Sequence, residues 1–160
     1  MAGIHDFARL LIPNRTPPGG VVRSVGAMPV IAPASVMPQI LSRSGRDNEA
    51  VQLLVNQYDR GNFDVEMVQL GYAIGYKTRN WPLVVRSLEL RNVNWPALAA
   101  DGHFRLGKVF LETEIQDRAR AVLEFRSGLV AVPTEQKDNY LRQVPKSLSA
   151  EITKAAQGGL

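Results

Sequence analysis

A pair of landmarks recurs in this sequence at nearly one interval, and it constrains the fold more than any other feature. The segments "MVQLGYAI" at 67–74 and "HFRLGKVF" at 103–110 share a Leu-Gly pair with a bulky residue three positions after the glycine. Each is followed by a second stretch that ends in a proline, Pro96 or Pro133. The glycines are 36 residues apart and the prolines are 37 apart. This recurrence predicts a helical repeat, in which each unit buries its apolar face by stacking on the next.

Both segments resemble the tetratricopeptide repeat, whose pattern is an aromatic residue before a Leu-Gly pair, then Ala-x3-Phe and a closing proline. The resemblance implies an all-α fold of stacked antiparallel helix pairs. In that fold Gly71 and Gly107 let the paired helix approach closely, because a Cβ there would collide with it. Ala121 is small for the same reason, while Phe125 and Leu88 fill the space between repeats.

The sequence departs from the family pattern at several positions. The family interval is 34 residues, which is shorter than the intervals seen here. Met67 and His103 stand where the family has an aromatic residue, and Val84 stands where it has alanine, so we expect the first clear helix pair to splay. We predict about two clear repeats between 64 and 133, with degenerate flanks. A generic bundle of helical hairpins is the alternative fold.

Capping residues and helix breakers divide the chain into helices. Asp47 and Asn80 are predicted N-caps, Pro82 fits a first turn, and Gly102 is expected to bend a helix near its start. The predicted helices are 35–43, 48–60, 64–78, 81–93, 96–113, 116–131, 134–143 and 148–157.

Charge and proline divide the chain into two parts. Residues 1–46 contain five arginines and one aspartate, whereas the remainder contains 14 basic and 14 acidic residues, so the formal charge of +4 lies in the first part. Six of the ten prolines also lie there, which excludes one continuous helix. We therefore predict a basic, proline-rich arm at 1–46, a repeat domain at 47–145, and a capping helix with a tail at 146–160.

The predicted arm begins with a short amphipathic segment, "IHDFARLLI" at 4–12. Its apolar residues fall at helical spacing, but two turns are too few for a stable isolated helix. We therefore expect neighbouring subunits of an assembly to hold the arm. A mitochondrial targeting segment is a second interpretation, because such segments are amphipathic, rich in arginine and poor in acids. The predicted arm contacts are Ile4, Phe7, Arg9, Leu11, Arg15 and Arg23.

The residues give little support to catalysis. The absence of cysteine excludes thiolate ligands and cysteine nucleophiles. Nothing in the sequence brings His5 and His103 together, and His103 occupies a repeat position that normally packs. The acidic segment "ETEIQD" at 112–117 lacks the glycine and the ligand spacing of a calcium loop. We predict that the protein is not an enzyme and uses no cofactor or metal.

The resemblance implies that the first helix of each repeat lines a concave groove. A groove of this kind holds a segment of another protein, and aromatic residues supply large rigid contact area for it. Some relatives clamp a C-terminal carboxylate with a Lys/Asn set, but Val68 and Tyr72 stand in those places here. We therefore expect the bound segment to be extended or helical and apolar, and not a free acidic C-terminus. The predicted groove residues are Val68, Tyr72, Tyr76, Phe104, Lys108 and Glu112.

Three hypotheses for function follow. The favoured one is a non-enzymatic interaction module, a structural or adaptor subunit of a larger assembly whose arm docks on neighbouring subunits. The second is a free-standing cytoplasmic adaptor or chaperone that binds a peptide in its groove. The third is a structural protein whose basic arm contacts nucleic acid, although five arginines in 46 residues are sparse for that role. No apolar run approaches the roughly 20 residues that span a bilayer, and the N-terminus is not a secretory signal. We expect a cytoplasmic location or a place within a large particle.

Overall fold

The computed structural model describes residues 33–157 of the protein, with side chains described as far as Thr153. This part of the chain is all-α and contains no strand, which confirms the all-α part of the predicted fold class. Two short 3-10 segments, Pro96–Leu98 and Thr134–Gln136, precede the fifth and seventh helices. The α-helices are α1 Val36–Arg43, α2 Asp47–Asp59, α3 Val65–Thr78, α4 Trp81–Asn94, α5 Ala99–Glu112, α6 Arg118–Ala131, α7 Lys137–Leu141 and α8 Lys146–Gln157.

Each helix from α1 to α5 packs against the next one along the chain, and α8 packs against α6. Side-chain caps fix three of the starts. The carboxylates of Asp64 and Asp117 accept hydrogen bonds from backbone amides in the first turns of α3 and α6. Asn80 Oδ1 accepts from Leu83 N at 3.1 Å, and Pro82 lies in that first turn, as predicted for α4. Each of these caps satisfies a backbone amide that has no partner within its own helix.

One predicted helix start is wrong, because Asp47 is the first residue of α2 and its cap is Arg46. The predicted helix 96–113 begins as the 3-10 segment Pro96–Leu98, and Gly102 lies inside α5. A Cβ on Gly102 would overlap Asn92 Oδ1 of α4. A glycine at this position therefore serves helix packing.

Glycines lie where the helices approach most closely. A Cβ on Gly107 of α5 would be 2.9 Å from the ring of Phe125 on α6, and a Cβ on Gly71 would be 2.6 Å from Ser87 Oγ on α4. Gly107 thus lies against the following helix as predicted, whereas a Cβ on Gly71 would first overlap the Tyr58 hydroxyl of α2. The bulk of Val84 is accommodated by a third glycine, Gly75, whose added Cβ would be 2.8 Å from Val84 Cγ2.

The apolar side chains form two clusters. Phe125, Leu106 and Leu88 are at most 1% exposed, as the repeat interpretation requires of core residues. One cluster is built mainly from α2 and α3 with Leu83 of α4. The other joins α4, α5 and α6 to the C-terminal helices, and it contains Val84, Leu88, Phe104, Leu106, Val109, Phe110, Ala121, Val122, Phe125, Leu129, Val144, Leu148 and Ile152.

The helical unit is longer at both ends than the predicted repeat domain. Its N-terminal limit falls after Ile31 rather than at residue 46. Leu41 of α1 packs on the first cluster, and Pro38 is buried. At the other end, Leu148 and Ile152 of α8 are fully buried in the second cluster. The helices α1 and α8 are therefore parts of the packed unit.

Candidate functional site

Three aromatic side chains form a continuous row at the turn between α3 and α4. Tyr72 and Tyr76 are one helical turn apart on α3, so they share a face, and their ring centroids are 5.4 Å apart. Trp81, the first residue of α4, meets Tyr76 edge-to-face at 5.3 Å. Tyr76 is 42% exposed, whereas Tyr72 and Trp81 are half-buried. We call Tyr72, Tyr76 and Trp81 the aromatic row.

Helix α5 brings charge to the aromatic row. The guanidinium of Arg105 lies over the Tyr72 ring, 5.2 Å from its centroid. Burial raises the pKa of Tyr76, and the neighbouring Tyr72 and the Glu112 carboxylate raise it further, while Arg105 opposes them. Glu112 and Tyr76 line one groove of about 500 Å³. This groove, which we call the aromatic groove, is lined by Tyr76, Arg79, Trp81, Glu112, Thr113, Glu114 and Gln116.

The aromatic groove contains two residues in the left-handed backbone region. Arg79 has a φ of 55° and Gln116 has a φ of 47°, and each lies in the turn within a helix pair. The left-handed region costs a residue with a Cβ about 1 kcal/mol or more, and such strain is concentrated at functional sites. The side chains of Arg79 and Glu114 form an exposed ion pair across the groove, with Nη1 and Oε1 3.4 Å apart.

A smaller pocket of about 210 Å³ adjoins the aromatic row at Tyr72. Asp101 Oδ2 accepts hydrogen bonds from Arg91 Nη1 at 2.7 Å and from Arg105 Nε at 2.8 Å. Burial raises the pKa of Asp101, but the two arginines outweigh it and hold that pKa below its ordinary value. We call this cavity the arginine pocket; it is lined by Val68, Gln69, Tyr72, Ser87, Leu88, Arg91 and Arg105.

The six residues predicted for the groove lie in different environments. Tyr72 belongs to the aromatic row, and Tyr76 and Glu112 line the aromatic groove. Lys108 is half-buried on α5. The prediction is wrong for Val68 and Phe104, which are 1% and 2% exposed and lie in the two apolar clusters. Phe104 does not reach the surface, and Val68 reaches it only in the wall of the arginine pocket.

The sequence interpretation missed Trp81 and Arg105. Trp81 is the first residue of α4. The turn between α3 and α4 is short, so Trp81 lies beside the last turn of α3. Arg105 lies on α5 one turn before Lys108, so it shares the face that was predicted to line the groove. The spacing between Arg105 and Lys108 was a usable signal for this residue.

The remaining candidate positions have structural partners. His103 Nδ1 is 2.7 Å from Glu124 Oε2 of α6, and both side chains are mostly buried between these helices. In the segment 112–117, Asp117 caps α6 and Thr113 Oγ1 donates to Val109 O. Within the described residues, no group of three or more histidines and acids is placed to hold a metal ion. The predicted arm residues Ile4, Phe7, Arg9, Leu11, Arg15 and Arg23 lie outside the described part of the chain.

The comparisons with known proteins assign no family. No family model matches the chain, and no match is found among curated proteins or among solved structures. None of the helices in the described part of the chain is long and apolar enough to cross a membrane.

Proposed function

We propose that this protein is a non-catalytic protein-interaction module, a structural or adaptor subunit, whose aromatic groove holds a segment of a partner protein. The observation that carries the proposal is the aromatic row, in which an exposed Tyr76 is fixed between Tyr72 and Trp81. Tyrosine and tryptophan dominate the energetics of protein interfaces because they bury much area with few rotatable bonds. Rigid aromatic side chains at a groove are suited to that role.

We further propose that the helices stack in the manner of tetratricopeptide repeats. The doubled Leu-Gly and proline landmarks support this, as do the buried contacts of Gly71 and Gly107 with the following helix. In such a stack α3 and α5 are the first helices of two successive repeats. Side chains from both helices then lie at the aromatic row. The proposal thus explains why Tyr72, Tyr76 and Glu112 are found together.

The chemistry of the aromatic groove favours a mixed ligand. Its aromatic edges suit an apolar side chain of the partner, while Arg79, Glu112 and Glu114 offer a cation and two carboxylates to polar groups of the bound segment. The charged side chains of the groove are exposed, and Arg79 pairs with Glu114 across it. An extended or helical protein segment fits these features better than a small polar metabolite does.

The arm forms a second proposed interface. Its support is the charge of the segment before the helical unit, since residues 1–31 contain three arginines and one aspartate, a formal charge of +2. Arginine pairs well with carboxylates and phosphates, so the arm is suited to acidic surfaces of neighbouring subunits or, as an alternative, to nucleic acid.

Deletion of residues 1–33 separates the groove from the arm. Peptides selected from a random library on the full-length protein provide the ligands, and their affinity is measured for both forms. The groove proposal predicts that the truncated protein stays folded and binds these peptides with unchanged affinity. Loss of their binding, with circular dichroism unchanged, would place the site on the arm.

A further inference from the structure

Three aromatic rings in the described part of the chain have an arginine of the same chain over one face. The pairs, with guanidinium-to-centroid distances from 4.2 to 5.7 Å, are Arg120 with Phe110, Arg105 with Tyr72, and Arg86 with Tyr58. Among the described residues, no cation lies over the rings of Tyr76 or Trp81 in this way. Aromatic faces carry partial negative charge and attract cations. The rings of Tyr76 and Trp81 are therefore available to a cation from another molecule.

The rings of Tyr76 and Trp81 meet nearly at a right angle. Their planes are inclined at 88°, and their centroids are 5.3 Å apart. Both side chains line the aromatic groove, and Tyr76 is 42% exposed. A flat cationic group that enters the groove is thus able to contact both rings at once.

The aromatic groove also contains a carboxylate with no cationic partner among the described residues. Glu112 is exposed and belongs to none of the ion pairs in that part of the chain. It lies close to Tyr76, because its charge, after burial and Tyr72, raises the pKa of the Tyr76 phenol. Glu114 lines the same groove but pairs with Arg79. The groove therefore has one negative charge in excess, and this charge is beside the aromatic row.

Helix α5 supplies positive charge near the other end of the aromatic row. Arg105 lies over Tyr72, and it shares the carboxylate of Asp101 with Arg91. This cluster of two arginines and one aspartate has one positive charge in excess, so it repels a second cation at Tyr72. A bound cation is therefore expected at the opposite end of the row, at Trp81.

We propose that the aromatic groove binds an arginine side chain of the partner segment, with its guanidinium against the rings of Tyr76 and Trp81 and paired with the Glu112 carboxylate. A planar guanidinium stacks on an aromatic face and donates two parallel hydrogen bonds to a carboxylate, which a lysine ammonium does not do. The inference rests on the proposed function, because it names the side chain that the same groove recognises.

The test is a titration of the full-length protein followed by NMR at the tryptophan indole N–H resonances. The chain has two tryptophans, and Trp95 is the internal control because it packs against Phe63 and lies outside the aromatic groove. The probes are N-acetyl-arginine amide, N-acetyl-lysine amide and N-acetyl-citrulline amide. Citrulline is the neutral isostere of arginine, and all titrations are made at constant ionic strength.

We expect a saturable shift of the Trp81 resonance with the arginine probe and no response of Trp95. The affinity for citrulline should be lower by at least about tenfold, the loss typical for a charged hydrogen bond, and lysine should also bind more weakly than arginine. An affinity for citrulline or lysine as high as that for arginine, or no response of Trp81 to arginine, would overturn the proposal.

Failure of this inference is distinguishable from failure of the proposed function. Any of the contrary results with the small probes leaves the binding of library-selected peptides at the aromatic groove intact. The proposed function fails instead when such peptides keep their affinity for a protein that lacks the rings of Tyr72 and Tyr76.

Variants of two groove residues locate the arginine probe. Glu112→Gln keeps the size of the side chain and removes its charge, so we expect at least about a tenfold loss of affinity for arginine. The matched control Glu135→Gln changes an exposed glutamate outside the groove and should have no effect. Tyr76→Leu removes the ring and should weaken binding, whereas Tyr76→Phe keeps the ring and should restore it. Equal affinity in wild type, Glu112→Gln and Tyr76→Leu would contradict the site.

Discussion

The hydroxyls of Tyr58 and Ser87, which are 29 positions apart in the chain, lie 3.0 Å from each other where α2, α3 and α4 meet. Both side chains are buried, and Gly71 of α3 leaves the space that they occupy. A Cβ on Gly71 would overlap the Tyr58 hydroxyl and lie 2.6 Å from Ser87 Oγ. The glycine of the first Leu-Gly landmark thus makes room for a buried polar pair.

We expect Gly71→Ala to lower the free energy of unfolding by about 2–4 kcal/mol, since it adds overpacking and disturbs a buried hydrogen bond. In a Tyr58→Phe background the same change should cost about 1–2 kcal/mol less, because the overlapping hydroxyl is gone. Urea denaturation of the four proteins of this cycle measures the coupling. Additive costs would show that Tyr58 is not the obstacle to a side chain at position 71.

Burial raises the pKa of the Tyr58 phenol, and this outweighs the opposing effects of Ser87 and Arg86. The folded state therefore holds the phenol proton more tightly than the unfolded state. Its contribution to stability is complete below the unfolded pKa of about 10 and is lost as the pH rises toward the folded pKa. We expect the unfolding free energy to decrease between about pH 9 and pH 11, and to decrease less in Tyr58→Phe. Identical slopes in the two proteins would contradict this.

Phe125 lies at the centre of the larger cluster. It is fully buried, and its ring contacts Gly107 and meets Phe104 edge-to-face at 5.3 Å. We expect Phe125→Ala to cost about 3–5 kcal/mol through the cavity that it leaves. Val130→Ala on the same helix is the control, because Val130 is 84% exposed and should change stability by no more than about 0.5 kcal/mol. Similar costs for the two variants would contradict the packing described.

Arg79 is expected to be a site where glycine increases stability. Its φ of 55° is favourable for glycine, and its side chain makes only an exposed ion pair with Glu114. We expect Arg79→Gly to raise the unfolding free energy by about 0.5–1 kcal/mol. Arg79→Ala removes the ion pair but keeps the Cβ, so it should give no such gain. Thermal melts compare the stability of the two variants. A gain in stability in both would show that it comes from removal of the ion pair and not from the backbone.

Much of the helical architecture is predictable from the sequence, because its signals are local. The cap at Asn80, the proline at position 82 and the closing proline at position 96 are readable without tertiary information, and the helix α4 lies where they place it. Gly102 shows the limit of this reasoning. Its role depends on Asn92 of the preceding helix, and no local pattern reports a contact between helices.

The candidate site is less predictable for the same reason. The repeat resemblance assigns Val68 and Phe104 to a surface, but each has large buried neighbours, and Phe104 packs between Phe125 and Tyr140. Which face of an amphipathic helix meets solvent depends on the helices around it. The arginine pocket is lined by residues of α3, α4 and α5. Asp101 forms ion pairs with Arg91 and Arg105, and residue spacing alone does not predict these two pairs.

The affinity of a selected peptide for two matched double variants tests the central claim most directly. Tyr72→Ala/Tyr76→Ala removes two members of the aromatic row, and Val93→Ala/Val130→Ala removes two exposed apolar side chains outside the aromatic groove. The peptide is taken from a random library selected on the wild-type protein, and circular dichroism establishes that both variants are folded. We predict that the first variant loses peptide affinity by at least about thirtyfold, which corresponds to the 2 kcal/mol or more typical of interface hot spots. The second variant should keep wild-type affinity. Equal affinity for both variants, or a selection that yields no binding peptide, would contradict the proposal that the aromatic groove holds a partner segment.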